Sequence, residues 1–113
     1  MNGKRILLVE DDKNVIDSVV YSLEQAGYEV ESTVSGLLGV DLALKSHPDL
    51  IIVDLILPDI NGAEMVAEIR RDETWGKDAK VVVLTNIDEK QIMQKLKSLN
   101  ALRYLVKVEN SLK

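Results

Sequence analysis

The chain has 113 residues, 46% of them hydrophobic and 29% charged, which is the composition of one globular domain and excludes disordered or low-complexity classes. Its 19 Asp and Glu exceed its 14 Lys and Arg, and the net charge of -5 argues against direct binding of nucleic acid. It has no cysteine and one histidine, which excludes disulfides, thiol nucleophiles and His/Cys metal clusters, so any metal must be bound by oxygen. Because no secretory signal or apolar run of about 18 residues is present, we expect a cytoplasmic protein that does not bind membranes.

The first half of the chain alternates strand and helix patterns. The all-apolar run Ile6–Val9 predicts a buried strand, β1, and apolar residues at helical spacing across Val15–Leu23 predict helix α1. Glu29–Thr33 has the alternation of an edge strand, β2. An apolar helical stripe across Leu37–Leu44 predicts helix α2, which should end before Pro48.

The second half continues the alternation. Leu50–Val53 and Val81–Leu84 are apolar, β-branched runs that predict strands β3 and β4, with helix α3 at Met65–Ile69 between them. A fourth helix, α4, is predicted across Ile92–Leu99, and Leu102–Val106 predicts strand β5. Fully apolar strands are typical of a parallel sheet with helices on both faces, which favours a doubly wound, flavodoxin-like α/β sandwich with strand order 2-1-3-4-5.

Acidic and polar residues follow four of the predicted strands. Glu10 and Asp11 come after β1 and Asp54 after β3, while Thr85 and Lys107 follow β4 and β5. In the predicted order β1 and β3 are neighbours roughly 4.8 Å apart, so their carboxylates converge and need a compensating cation. An all-oxygen site suits Mg²⁺, and a carboxylate beside Mg²⁺ can attack a phosphoryl group. The hydroxyl of Thr85 and the ammonium of Lys107 are suited to neutralise the phosphoryl oxygens.

These site residues are part of a longer motif that runs along the chain. It consists of the acidic pair Glu10 and Asp11, the segment Asp54–Gly62 that contains Pro58, Thr85, and Tyr104 three residues before Lys107. The motif resembles the receiver domains of two-component response regulators, of the chemotaxis-regulator type, and the likeness extends over essentially the whole chain. It implies that Asp54 accepts a phosphoryl group from a histidine kinase or a phosphotransfer protein. It also implies that the chain catalyses only its own phosphorylation and dephosphorylation and is otherwise not an enzyme.

The resemblance implies the ligands of the metal. Asp11 binds Mg²⁺ directly together with Asp54, the backbone carbonyl of Ile56 adds a ligand, and Glu10 binds through water. Asp12, the third acid after β1, is interpreted first as the N-cap of α1.

The resemblance also implies how the signal leaves the site. Thr85 and Tyr104 form the switch pair of the family, in which the hydroxyl moves toward the phosphoryl group and the ring turns inward. The surface of α4 and β5 then changes, and we expect it to bind a second copy of the chain, as a homodimer, or a downstream effector. Pro58 and Gly62 shape the loop before α3.

The sequence departs from the family pattern near its end. Val108 stands where the family has a proline in a cis peptide, so we expect a trans bond or strain beside Lys107. Residues 108–113 provide at most one turn for a fifth helix, α5. We therefore expect a receiver domain over residues 1–113 that is C-terminally short, with α5 missing or very short.

Two other functions remain open. A Mg²⁺-dependent phosphohydrolase of the haloacid dehalogenase type also uses a strand-end Asp as nucleophile, but it requires a second acid where this chain has Ile56. An unphosphorylated, receiver-like binding module would act through its surface alone and would have no need of Asp54 or Lys107.

Overall fold

The computed structural model describes residues 3–85 and 103–106. Strands and helices alternate along these residues, as the sequence predicts, and a short 3-10 helix precedes the fourth strand. The elements are β1 (Arg5–Val9), α1 (Lys13–Gln25), β2 (Glu29–Thr33), α2 (Gly36–Ser46), β3 (Leu50–Asp54), α3 (Gly62–Arg70), the 3-10 helix (Gly76–Asp78), β4 (Val81–Thr85) and β5 (Arg103–Val106). The predicted α4, Lys107 and any α5 lie outside the described residues.

The sheet has the predicted topology. Its five strands are parallel and lie in the order β2-β1-β3-β4-β5, which confirms the flavodoxin-like arrangement. Val9 at the end of β1 pairs with Val53 of β3, and Asp54 pairs with Leu84 of β4. The register therefore brings the residues that follow β1 level with the end of β3.

Alternate strand residues face two helical layers, because successive side chains of a strand point to opposite faces of the sheet. One face packs against α2 and α3 and buries the strand residues Leu7, Val9, Ile51, Val53, Val81 and Val83. The other face packs against α1 and buries Ile6, Leu8, Ile52, Val82 and Leu84. Apolar packing on both faces thus fixes the central strands, whose ends carry the predicted site residues.

Helix α2 buries a face that overlaps only in part with its predicted apolar stripe, since Val40 packs against the core but Leu37 does not. Leu37 is 56% exposed and the other two stripe residues, at positions 40 and 44, are only half-buried. The buried residues include the small Gly39 and Ala43. A Cβ on Gly39 would lie 2.9 Å from Cγ2 of Val9 and 3.0 Å from Cε of Met65, so close approach of the helix decides which face is buried.

The ends of α1 and α2 agree with their sequence signals. Oδ1 of Asp12 accepts hydrogen bonds from the backbone N–H of Asn14 at 2.9 Å and of Val15 at 3.3 Å, which confirms Asp12 as the N-cap of α1. Helix α2 ends before Pro48, with His47 as a left-handed C-cap at φ 49°. Within the described ranges, no helix is long and apolar enough to cross a membrane.

Candidate functional site

Three carboxylates meet at the carboxyl edge of the sheet. Glu10 and Asp11 directly follow β1, and Asp54 is the last residue of β3. One carboxylate oxygen of each lies within 4.8 Å of the corresponding oxygens of the other two. Like charges at this separation repel one another, so the arrangement favours a bound cation.

The three carboxylates differ in exposure. Glu10 is fully buried and Asp54 is 5% exposed, whereas Asp11 is exposed to solvent. Oε2 of Glu10 accepts a hydrogen bond from the backbone N–H of Asp12 at 3.0 Å, which fixes its carboxylate beside the end of β1. The site thus has two buried acids held by the fold and one acid that opens to solvent.

The donor set fits a hard divalent cation. All three groups are carboxylates, which Mg²⁺ and Ca²⁺ prefer and which soft metals do not. The exposed side at Asp11 leaves room for the waters that a small divalent ion retains. The three residues can therefore hold a divalent metal ion that also accepts oxygen ligands from a second molecule.

The backbone of β4 lies next to this cluster, and β5 lies beside β4 at the edge of the sheet. Thr85 ends β4, one residue beyond the Leu84 that pairs with Asp54. Thr85 pairs with Val106, and Tyr104 on the same strand pairs with Val83. The predicted phosphoryl-binding Lys107 directly follows Val106 in sequence and lies outside the described residues. The fold therefore brings the three acids together and carries Thr85 to the same edge.

The loop that follows Asp54 begins with a close contact between backbones. Gly62, the first residue of α3, donates its N–H to the carbonyl of Leu55 at 2.7 Å. A Cβ on Gly62 would lie 2.4 Å from the carbonyl oxygen of Asp54, so only glycine lets α3 begin this close to the strand. Ile56 and Pro58 lie on the exposed part of the loop.

Sequence reasoning missed one residue of this loop, Asp59. Its Oδ2 accepts hydrogen bonds from Oγ of Ser35 at 2.6 Å and from the N–H of Leu37 at 3.0 Å. Its Oδ1 accepts from the N–H groups of Gly36 and Ile60, both at 2.9 Å. These hydrogen bonds, of which the one from Ser35 has the largest effect, hold the pKa of Asp59 well below its usual range. In the sequence it is only an acid after a proline, and its partners at the start of α2, residues 35–37, are 22 to 24 residues away.

Comparison with known families gives one match over most of the chain. The family model described as the response regulator receiver domain matches residues 6–112. The DNA-binding dual master transcriptional regulator RpaA of Synechocystis is 41% identical over 87 residues, which is 77% of this chain and 36% of that protein. The probable transcriptional regulatory protein SilR of Salmonella typhimurium is 36% identical over 103 residues, 91% of this chain and 44% of the relative. The chain thus spans less than half the length of these curated relatives.

Solved structures with the same fold include receiver proteins. The chemotaxis protein CheY4 of Vibrio cholerae has a TM-score of 0.87 and 30% identity, and the similarity covers 96% of this chain and 90% of that one. The response regulator TrrA of Thermotoga maritima, solved in complex with Mg²⁺ and BeF, has a TM-score of 0.80 and 34% identity. The similarity covers 95% of this chain and 89% of that one.

Proposed function

Since the chain belongs to the response regulator receiver domains, the phosphoacceptor domains of two-component systems, we propose that Asp54 is the residue that becomes phosphorylated. The observation that carries this proposal is the meeting of Asp54 with Glu10 and Asp11 within 4.8 Å at the open edge of the sheet. Asp54 ends a buried central strand, so its position is set by the core, and its carboxylate lies beside the solvent-exposed Asp11.

In the proposed reaction, a carboxylate oxygen of Asp54 attacks the phosphorus of a phosphohistidine or of a small-molecule phosphodonor. A P–O bond to Asp54 forms as the P–N bond of the phosphohistidine breaks, and the imidazole leaves with the electron pair of that bond. The Thr85 hydroxyl donates a hydrogen bond to one phosphoryl oxygen, and the Lys107 ammonium pairs with another. A divalent cation, when bound, offsets the charge of the carboxylates and of the phosphoryl oxygens.

The metal in this proposal is Mg²⁺. Asp11 and Asp54 would bind it directly, the carbonyl of Ile56 would add a ligand, and Glu10 would bind through water. The all-carboxylate donor set supports an oxygen-preferring ion, and the exposure of Asp11 supports one that keeps part of its hydration shell.

The proposal extends to the partners of the domain. A histidine kinase or a phosphotransfer protein would supply the phosphoryl group in the cytoplasm. Thr85 and Tyr104 would switch the α4–β5 surface toward an effector or a second copy of the chain. The domain, over residues 1–113, would catalyse only its own phosphorylation and dephosphorylation. Relatives named as transcriptional regulators are more than twice as long as the matched region, so DNA binding is proposed for the rest of such proteins and not for this domain.

The proposal is tested by labelling with a small-molecule phosphodonor such as acetyl phosphate. Intact-mass spectrometry should find one phosphoryl group per chain with Mg²⁺ and none with EDTA or in Asp54→Ala. Asp12→Asn is the matched control, because Asp12 lies beside the cluster but caps α1, and asparagine is an equally good N-cap. Labelling of Asp54→Ala equal to that of the wild type would refute the assignment.

The same experiment distinguishes the two other functions. A phosphohydrolase would release phosphate from the donor continuously without accumulating a labelled chain. A binding module would not be labelled either with Mg²⁺ or with EDTA.

A further inference from the structure

Asp59 ties the loop after β3 to the first turn of α2 through both of its carboxylate oxygens. Three of the four groups that donate to it belong to the segment Ser35–Leu37, and their distances are 2.6, 2.9 and 3.0 Å. The fourth is the N–H of Ile60 in the loop itself, at 2.9 Å. A single carboxylate therefore joins two segments that meet only in the folded protein.

Apolar contacts form a second part of the same junction. Leu57 and Ile60 are partly buried against the core on the α2–α3 side of the sheet. A Cβ on Gly36 would lie 2.7 Å from Cγ1 of Ile60 and 3.1 Å from Cδ1 of Leu57, so the loop is in close contact with the start of α2. Loss of the Asp59 hydrogen bonds would therefore loosen the loop without detaching it.

The junction limits how much of the loop can move. Leu55 is held at both backbone groups, since its N–H donates to the carbonyl of Leu84 at 3.3 Å and its carbonyl accepts from Gly62 at 2.7 Å. Three residues, 56–58, lie between Leu55 and Asp59, and Ile56 is the first of them. Resting on the proposed function, we infer that Asp59 is a positioning residue that holds the carbonyl of Ile56 where the metal ion can bind it.

Asp72 provides a matched control for this role. Its Oδ2 accepts hydrogen bonds from the N–H groups of Gly76 at 2.7 Å and Trp75 at 2.8 Å, so it stabilises a turn in the same way that Asp59 does. Helix α3 begins beside Asp54 and its nine residues rise about 13 Å, which places the turn after it at the opposite edge of the sheet. Loss of Asp72 should destabilise the fold without touching the metal site.

The test compares Asp59→Asn with Asp72→Asn in the full chain. An asparagine retains one accepting oxygen and replaces the other by an NH₂ group, which cannot accept. The Kd for Mg²⁺ would be measured from backbone amide chemical shifts during titration with MgCl₂, alongside hydrogen exchange of the Gly36 and Leu37 amides and the Tm. We expect the Kd of Asp59→Asn to rise about tenfold, the lower end of the cost of losing a group that orients a metal ligand. Asp72→Asn should lower the Tm and leave the Kd unchanged.

Ser35→Ala is the second variant if Asp59→Asn does not fold. It removes one of the four donors to Asp59 and also the N-cap hydrogen bond that Ser35 Oγ accepts from the N–H of Leu38 at 3.0 Å, so its Tm is compared with that of Asp72→Asn. It should raise the Kd by less than Asp59→Asn does. An unchanged Kd in Asp59→Asn, with faster exchange at the Gly36 and Leu37 amides, would overturn the positioning role alone. An equal rise of the Kd in the Asp59 and Asp72 variants would also overturn it, because general destabilisation would then explain both. A wild-type chain that binds no Mg²⁺ would overturn the proposed metal site and this role with it.

Discussion

Replacing Gly62 by alanine should push α3 away from the strand that carries Asp54. The new Cβ would lie 2.4 Å from the carbonyl oxygen of Asp54 and 3.0 Å from Cα of Leu55. Both neighbours are backbone atoms, which no rotamer change can move. Restoring a separation of about 3.0 Å from the carbonyl oxygen requires a backbone shift of about 0.6 Å, comparable to small over-packing in a core.

The energetic cost combines two opposing effects. Over-packing of this kind costs about 1–3 kcal/mol, and the shift also strains the 2.7 Å hydrogen bond from Gly62 to Leu55. The better helix propensity of alanine returns up to about 1 kcal/mol. The free energy of unfolding should therefore fall by about 1–2 kcal/mol, as measured by urea denaturation followed by circular dichroism. Phosphorylation by acetyl phosphate should also slow, because the carbonyl that is displaced belongs to Asp54.

Gly39→Ala is the control for this prediction. It makes the same substitution in a buried helix position, but the Cβ meets side-chain atoms of Val9 and Met65 at 2.9 and 3.0 Å, so the required movement is far smaller. Its stability should be higher than that of Gly62→Ala, and its phosphorylation rate should match the wild type. If the two variants have the same stability and both are phosphorylated at the wild-type rate, the close approach at Gly62 does not position Asp54.

Two further predictions concern charge. Asp54→Asn should raise the free energy of unfolding by about 1–2 kcal/mol without Mg²⁺. Two unit charges 4.8 Å apart repel each other by about 3 kcal/mol at an effective dielectric constant of about 20, and exposure of the site and salt reduce this value. Saturating Mg²⁺ should remove the difference, and an Asp54→Asn chain less stable than wild type in EDTA would contradict this. The backbone hydrogen bond from Gly76, and to a smaller extent that from Trp75, lowers the pKa of Asp72 in the folded protein. The stability that ionised Asp72 contributes is therefore fully present above the unfolded pKa of about 3.9. It is lost as the pH falls through the lower pKa of the folded state. The Tm of Asp72→Asn should therefore fall less steeply than that of the wild type as the pH drops below about 4. An equally steep fall of the Tm in both proteins would contradict this role of Asp72.

The fold and the acidic cluster could be predicted because their signals are local in sequence. Apolar β-branched runs identify buried parallel strands, and the strand order then brings Glu10, Asp11 and Asp54 together. The orientation of α2 could not be predicted in this way. Its large apolar residues suggest one buried face, whereas the space available above the sheet selects the face that carries Gly39 and Ala43.

Asp59 could not be predicted for a different reason. Its three partners at the start of α2, residues 35–37, lie 22 to 24 residues away in sequence, and nothing in the segment around Pro58 indicates which helix start it will meet. Such a contact depends on how two loops approach at one edge of the sheet, which follows from packing and not from the periodicity of either segment.

The central claim is that Asp54 is the phosphorylated residue. The labelled chain would be reduced with borohydride, which converts an aspartyl phosphate to homoserine, and its peptides would be sequenced by mass spectrometry. Homoserine should be found at position 54 alone, and only after labelling in the presence of Mg²⁺. Homoserine at Asp11, Asp12 or Asp59 instead, or a labelled chain in which no aspartate has been converted, would contradict the claim.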